Sequence, residues 1–416
     1  SYGECLKLMI INGLGFTSRP LYLEAQFFSS RPVNRFLMKD CESAINDDRL
    51  GRTLDKVFAF GCDPLFASIA SQAALRFGVS KKFCHLDSTS MEVDGEYEDR
   101  EGIGLITFGY SKDHRPDLKQ FMIYLMSSQD GDVPLLAKTV AGNTSDQKLF
   151  RERLREIKEQ IQEGETTYFV SDSALYTQKT IGTLSSSIKW VTRVPEKLVE
   201  AKRIIEYEKP LEELEVGYSG KEFISHYGGV EQRWLLVYSE QAYIKEEKTL
   251  KKHIHKEKEQ ANRELNQWSQ TDFDCEKDAK DCLRRWSKKL KYHCLEEMEV
   301  VSKRVSKGKG RPKRDAPLIY RYRITAKLKE DENRIEANLR TKGQFIIATN
   351  ELDTTQLTSR ELLQSYKGQQ SVERGFRFLK EPAFLTPSVY LKSQKRIIAL
   401  GMVMCLCLLV YMIAQR

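Results

Sequence analysis

Three acidic residues in separate contexts carry the strongest chemical signal of this 416-residue chain: Asp87 in FCHLDSTS, Asp172 in TYFVSDSALY and Glu373 in YKGQQSVERGFRFLK. Each Asp closes an apolar, strand-like run, and Glu373 lies in a segment with helical periodicity. Carboxylates brought from distant segments to one place suit a hard divalent cation, which takes oxygen ligands. The chemistry this implies is metal-dependent and acts on a nucleic acid. An Asp at a strand end is most often a turn or cap residue, so the weight rests on the joint pattern. Asp94, Asp99 and Asp113 compete with Asp87 but stand in polar, loop-like surroundings, and Glu381 competes poorly with Glu373 because it directly precedes Pro382. His85 and His114 could serve as general bases, but two-metal chemistry needs none, and packing or loop hydrogen bonds account for them.

Composition narrows the classes. With 40% hydrophobic residues the chain can bury at least one large core, and its length suggests two or three domains. A net charge of +8 from 67 basic and 59 acidic residues is a mixed surface with a mild preference for polyanions. The nine cysteines form no CxxC pair and no regular framework, which fits a reduced cytosolic compartment better than a disulfide scaffold or a zinc site. The chain starts at Ser1 without a leader-like segment, and the expectation is a piece of a longer protein with no signal peptide. Ile397 to Ala414 is free of charge and long enough for a membrane span, and a buried core helix is the favoured reading of it.

The elements that must position the carboxylates can be read in order. Strands are expected over Lys82 to Val93, Ile103 to Tyr110, Gln120 to Ser127 and Val133 to Val140, the last two flanking the turn Gln129-Asp130-Gly131-Asp132. An amphipathic helix follows, with cap candidates Thr144 and Ser145, apolar Leu149, Leu154, Ile157 and Ile161, and Gly164 at its end. Thr167 to Val170 and Trp190 to Val194 then read as strands. Antiparallel strands, a crossover helix and a parallel strand make an α/β, ribonuclease-H-like core.

About 85 residues separate the two Asp, but about 200 separate Asp172 from Glu373, too many for a loop. The expected division is an N-terminal helical region over 1–79, a first part of the core over 80–195, a mainly β insertion with a charged helical segment over 196–350, and a final part of the core over 351–416. Within the insertion, Glu222 to Ser239 reads as a hairpin around Gly228-Gly229. Tyr320, Tyr322, Ile324, Ala326 and Leu328 alternate with Arg321, Arg323, Thr325 and Lys327, giving a strand with one apolar and one basic face. Tyr243 to Arg304 reads as one or two long solvated helices.

Thr358 and Glu361 have capping-box spacing, and Pro382 marks a stop. On one helix, Tyr366, Gln369, Glu373 and Lys380 would share a narrow stripe beside an apolar stripe of Val372, Phe376 and Leu379, although Gly368 weakens the helix near Tyr366.

The segment Tyr366-x2-Gln369-x3-Glu373-x6-Lys380 resembles the Tyr-Arg-Glu-Lys signature of bacterial insertion-sequence DDE transposases of the IS-four superfamily, with Gln369 where that signature has Arg. GYSKDHRPDLKQ at 109–120, GNTSD at 142–146 and the two Asp contexts also resemble this group, in particular its long-chain branch with a large insertion before the Glu. The resemblance covers roughly residues 80–410, and 1–79 more weakly resembles the end of a DNA-end-binding region. It implies that Asp87, Asp172 and Glu373 are catalytic and hold two Mg²⁺ ions, with Mn²⁺ as a substitute, Asp87 bridging the pair. It further implies cleavage at transposon ends, strand transfer into target DNA, and a homodimer on paired ends in the bacterial cytoplasm. Tyr366 and Lys380 would contact phosphates. At Gln369 a neutral amide replaces a bidentate cation, so either Arg374 or Arg377 substitutes or the phosphate grip is weaker.

Lys303 to Arg314 holds seven basic residues and no acid before Asp315, and Lys307, Lys309, Arg311 and Lys313 around Gly310-Arg311-Pro312 are candidates for DNA contact, against the plainer reading of a solvated linker. Two other functions fit the same residues: a structure-specific nuclease without strand transfer, and a DNA-binding protein without catalysis.

Overall fold

The computed structural model describes residues 1–16, 46–93, 95–99, 102–111, 115–144, 166–185, 188–206, 210–305, 319–380, 391 and 393–416, without the side chains of 15–16 and 370–374. Among them, eleven strands follow in chain order: β1 (Phe83–Val93), β2 (Lys119–Ser128), β3 (Pro134–Ala141), β4 (Tyr168–Ser171), β5 (Lys189–Arg193), β6 (Glu212–Glu215), β7 (Tyr218–Ser225), β8 (Gln232–Ser239), β9 (His293–Val305), β10 (Ile319–Glu330) and β11 (Gln344–Thr349). The chain is mixed α/β and separates into two compact units.

The first unit takes Ser1–Glu196, Glu222–Leu235 and Ile346–Arg416. Its sheet runs β3-β2-β1-β4-β5-β11, continuing to β8 and β7. β1 is antiparallel to β2, and β2 to β3, while β1, β4 and β5 are mutually parallel and β11 runs antiparallel to β5. Nearly every residue of β2 and β4 is buried, the pattern of strands covered on both faces, which is why their sequences are continuous apolar runs. The β2–β3 connection turns at Gly131 and Asp132, both with positive φ. The expected strand over 103–110 makes only an isolated bridge, Thr107 with Gln120. Its backbone groups go elsewhere: the Asp99 carboxylate accepts from the N–H groups of Ile103 and Gly104, and the Gln394 side chain accepts from Leu105 N–H. Gly102 and Gly104 sit at φ 65° and 63°, incompatible with a strand. The amphipathic helix expected after Thr144 falls on residues outside those described.

The apolar C-terminal run is the helix Gln394–Gln415, long and apolar enough to cross a membrane, but packed within this unit against β3 and the helices Asp47–Phe60 and Cys62–Arg76. Gly401 lets it approach Thr139 of β3 more closely than any side chain would allow. Arg396 binds both oxygens of Asp55 at 2.8 Å, and Arg416 binds Asp130 along with the carbonyls of Phe77 and Gly78. Burial of the run and these polar ties at each end match a core helix.

The second unit takes Lys197–Lys221 and Leu236–Phe345. β9 and β10 form an antiparallel pair packed against the helices Glu240–Ser269 and Glu276–Ser287, with Ala261, Ala279, Leu283, Trp286, Leu290 and Ile324 as the core. The alternation of β10 is realised from Tyr322 onward, Tyr320 being exposed: Tyr322, Ile324, Ala326 and Leu328 face this core, while Arg321, Arg323, Lys327 and Lys329 pair with Asp274, Asp272, Glu297 and Glu296. The helical reading of Tyr243 to Arg304 holds only to Ser287; from His293 the chain is a strand. The mixed charges of that stretch conceal a face of Leu295 and Val300, which packs because β10 offers it a partner. Its longest element is the 30-residue helix Glu240–Ser269, so this unit is α+β rather than mainly β.

Candidate active site

β1 and β4 pair in parallel with Phe83 opposite Tyr168, Cys84 opposite Phe169 and His85 opposite Val170. Two further steps along that register set Asp87 beside Asp172. Parallel neighbours in register point to the same face, so the two carboxylates share one face of the sheet, Asp87 within β1 and Asp172 just past the carboxyl end of β4. Asp87 is half-buried, and its Oδ1 accepts from the N–H of Ser88 at 2.7 Å. Asp172 is exposed, one residue past β4; its Oδ1 accepts from Ala174 N–H at 3.0 Å and its carbonyl from Thr192 Oγ1 at 2.7 Å. The carboxylate that caps this turn is thereby fixed in direction.

The third acidic residue lies on a helix fixed to β1. Thr358 and Glu361 form the expected capping box and start the helix Ser359–Lys367. Glu361 also accepts from Lys82 at 2.8 Å, a contact that holds its carboxyl below the usual range. The chain breaks at Gly368 and resumes as the helix Gln369–Lys380. A Cβ at Gly368 would stand 2.8 Å from His85 Nε2, so only glycine permits this approach.

Gln369 makes the contact. Its Oε1 lies 3.0 Å from His85 Nδ1, and its Nε2 donates to the carbonyl of Leu86 at 3.3 Å. The carbonyl can only accept, which fixes the amide orientation and makes His85 Nδ1 the protonated nitrogen. His85 and Asp87 share a face of β1, being two residues apart. The helix bearing Glu373 therefore starts on the face of β1 that presents Asp87, and Glu373 follows one turn beyond Gln369 along it. The side chain of Glu373 lies outside the described residues, as does that of Arg374.

The other expected residues divide as follows. Tyr366 belongs to the helix before the break and is half-buried, so it does not continue the stripe of Gln369 on one unbroken helix. Arg377 is exposed and Lys380 half-buried near the helix end, with Phe376 and Leu379 buried as the apolar stripe required. Lys307, Lys309, Arg311 and Lys313 lie outside the described residues, as do Asp94, Asp113, His114 and Glu381. Asp99 is occupied as a backbone cap. Among the described residues no group of three His, Cys, Asp or Glu comes together as a metal site.

His85 went unassigned by the sequence beyond a packing role. It is fully buried, and burial holds its imidazole below the ordinary 6.5, opposed by its hydrogen bonds to Gln369 and Gln129. The unfolded chain therefore binds a proton the folded chain resists, and stability present above about pH 6.5 is lost as pH falls below it. Urea midpoints from pH 7.5 to 5.5 are expected to fall for the wild type and to stay flatter in His85→Gln. Gln369→Arg brings only donors to His85 Nδ1–H and leaves that buried group unpaired, for an expected loss of about 1–3 kcal/mol in chemical denaturation.

The family described as Transposase DDE domain matches residues 80–410, and one described as Domain of unknown function (DUF4277) matches residues 1–71. A comparison with curated proteins gives no match. Among solved structures, one described as a cryo-EM structure of a piggyBac transposase synaptic complex with hairpin DNA aligns with a TM-score of 0.42 at 9% identity, covering 100% of this chain. The chain spans 65% of the length of that solved chain.

Proposed function

Because the chain belongs to the Transposase DDE domain family, we propose that it cuts DNA at transposon ends and joins the cut ends to target DNA, with Asp87, Asp172 and Glu373 as its catalytic carboxylates. The observation that carries this reading is the register that sets Asp87 beside Asp172 on parallel strands, on the face where the helix of Glu373 begins. The strand order β3-β2-β1-β4-β5, antiparallel on one side of β1 and parallel on the other, supports a ribonuclease-H-like core.

The donor set fits divalent metal. Asp87 and Asp172 offer oxygen ligands only, the preference of Mg²⁺ and Mn²⁺, and both side chains are oriented by backbone N–H groups. Asp87, Asp172 and Glu373 would hold the ions, which supply an activated oxygen nucleophile and charge stabilisation on the leaving oxygen. The protein's own part is positional. β1 and β4 fix two carboxylates on a rigid sheet, and the Gln369–His85 contact with Gly368 fixes the start of the helix that carries the third. Gln369 is assigned to that positioning rather than to a phosphate, since both ends of its amide are engaged. Tyr366, Arg377 and Lys380 remain the candidates for phosphate contact, with Arg374.

The IS-four assignment, the two-ion count and a homodimer on paired ends belong to the same proposal. Its test is an incubation of the full chain with DNA carrying the inverted repeats that flank its gene, in Mg²⁺, Mn²⁺ or EDTA. Metal-dependent cuts at the repeat boundary are expected; cuts unaffected by EDTA would remove the reading.

A further inference from the structure

The helix Glu240–Ser269 of the second unit is nearly balanced in charge, yet its signs are sorted by face. Taking 100° per residue from Lys245, the core-facing Leu250, Ala261 and Leu265 fall at about 140° to 200°. Glu246, Glu257 and Glu264 fall beside them at about 100° to 120° and are consumed within the unit. Glu246 accepts from Gly343 N–H, Glu257 from the backbone of Lys291 and Tyr292, and Glu264 from the Trp286 indole. Lys245, Lys248, Lys252 and Lys256 fall between about −60° and +20°, opposite the core.

All four are exposed, and none has an ion-pair partner among the described residues. Four other lysines of the unit, used below as controls, are neutralised: Lys251 by Glu247, Lys258 by Glu330, Lys327 by Glu297 and Lys329 by Glu296. One acid shares the ridge face, Glu259, and it is taken by His255 and Arg263.

We propose that Lys245, Lys248, Lys252 and Lys256 form a phosphate-binding ridge for duplex DNA, an inference that rests on the transposase reading. Their spacing spans about 16 Å of helix, close to the rise of about five base pairs. Flexible ammonium groups in a row suit a repeating line of phosphates and lack the planar fork that reads base edges, so the ridge grips without choosing sequence. Gln241, Thr249 and Gln260 border it with Ile244 as a single exposed aliphatic, not the apolar row that a helix needs to enter lipid.

The test uses the full chain, a labelled 40-base-pair duplex of arbitrary sequence, and salt titrations without divalent metal. The wild type is compared with Lys245→Gln/Lys248→Gln/Lys252→Gln/Lys256→Gln and with Lys251→Gln/Lys258→Gln/Lys327→Gln/Lys329→Gln, which removes the same charge from paired positions. The ridge variant is expected to lower the slope of log K against log salt by about 2 to 4, and the paired-lysine variant by less than about 1. Equal slopes in the wild type and the ridge variant, or equal losses in both variants, would overturn the ridge and leave the transposase reading standing. A wild type that ignores duplex but binds phosphatidylserine vesicles through these lysines would overturn both.

Discussion

Asp87→Asn and Asp172→Asn are each expected to reduce end cleavage by about 10³-fold or more while leaving the fold and DNA binding intact. Each removes one anionic ligand from a site where metal-assisted charge stabilisation is worth several kcal/mol, and every 1.4 kcal/mol is a factor of ten. The amide keeps the shape of the side chain, and the oxygen that accepts from Ser88 or Ala174 N–H can be retained. Because the two act as one unit, the double variant should be little worse than either single one. Single-turnover cleavage measures this, with far-ultraviolet circular dichroism and end binding as controls. A variant that cuts within tenfold of the wild type would take its residue out of the site.

Glu222→Ala is expected to cost about 3–5 kcal/mol of stability, the largest such effect of a single substitution here. Arg233 on β8 is 1% exposed, and its guanidinium is paired by Glu222 Oε1 at 3.0 Å and by the carbonyl of Leu357. Its Nε has no partner, so the ion is already at the edge of satisfaction. Glu222 also accepts from Ser359 at the first turn of the helix leading to Gly368, so the pair anchors that helix as well as compensating its own charge. Without the carboxylate a buried cation stands against one carbonyl. Removing both ions in Arg233→Met/Glu222→Ala should recover most of the loss, because the cost lies in the unpaired charge. Urea denaturation of the three variants decides it; a Glu222→Ala cost below about 1 kcal/mol would show that water reaches Arg233.

Where local chemistry decided local structure, the sequence was legible. The apolar runs ending in Asp87 and Asp172 became β1 and β4, Thr358 and Glu361 became a capping box, and the alternation at Tyr322 to Leu328 became the core-facing strand β10. It misled where a partner from elsewhere settled the outcome. The segment over 103–110 has the composition of a strand, but Asp99 and Gln394 claimed its backbone. His293–Val305 has the charges of a solvated helix, but β10 paired with it. The way the helix of Glu373 is positioned was not legible: His85 and Gln369 lie at opposite ends of the core in sequence, and no periodicity joins them. Arg233 sits inside an apolar strand, and nothing local announces that Glu222 and Leu357 will meet it.

The central claim is that one carboxylate site both cuts ends and joins them, and strand transfer from pre-cut ends tests it most directly. Duplexes with recessed 3′-hydroxyl repeat ends, supercoiled target plasmid and Mg²⁺ or Mn²⁺ are incubated with the wild type and with Glu373→Gln. The account predicts ends joined to plasmid by the wild type, no joining in EDTA, and loss of joining in Glu373→Gln with end binding retained. Equal joining by both proteins, or cutting by the wild type with no joined product under any metal, would contradict it.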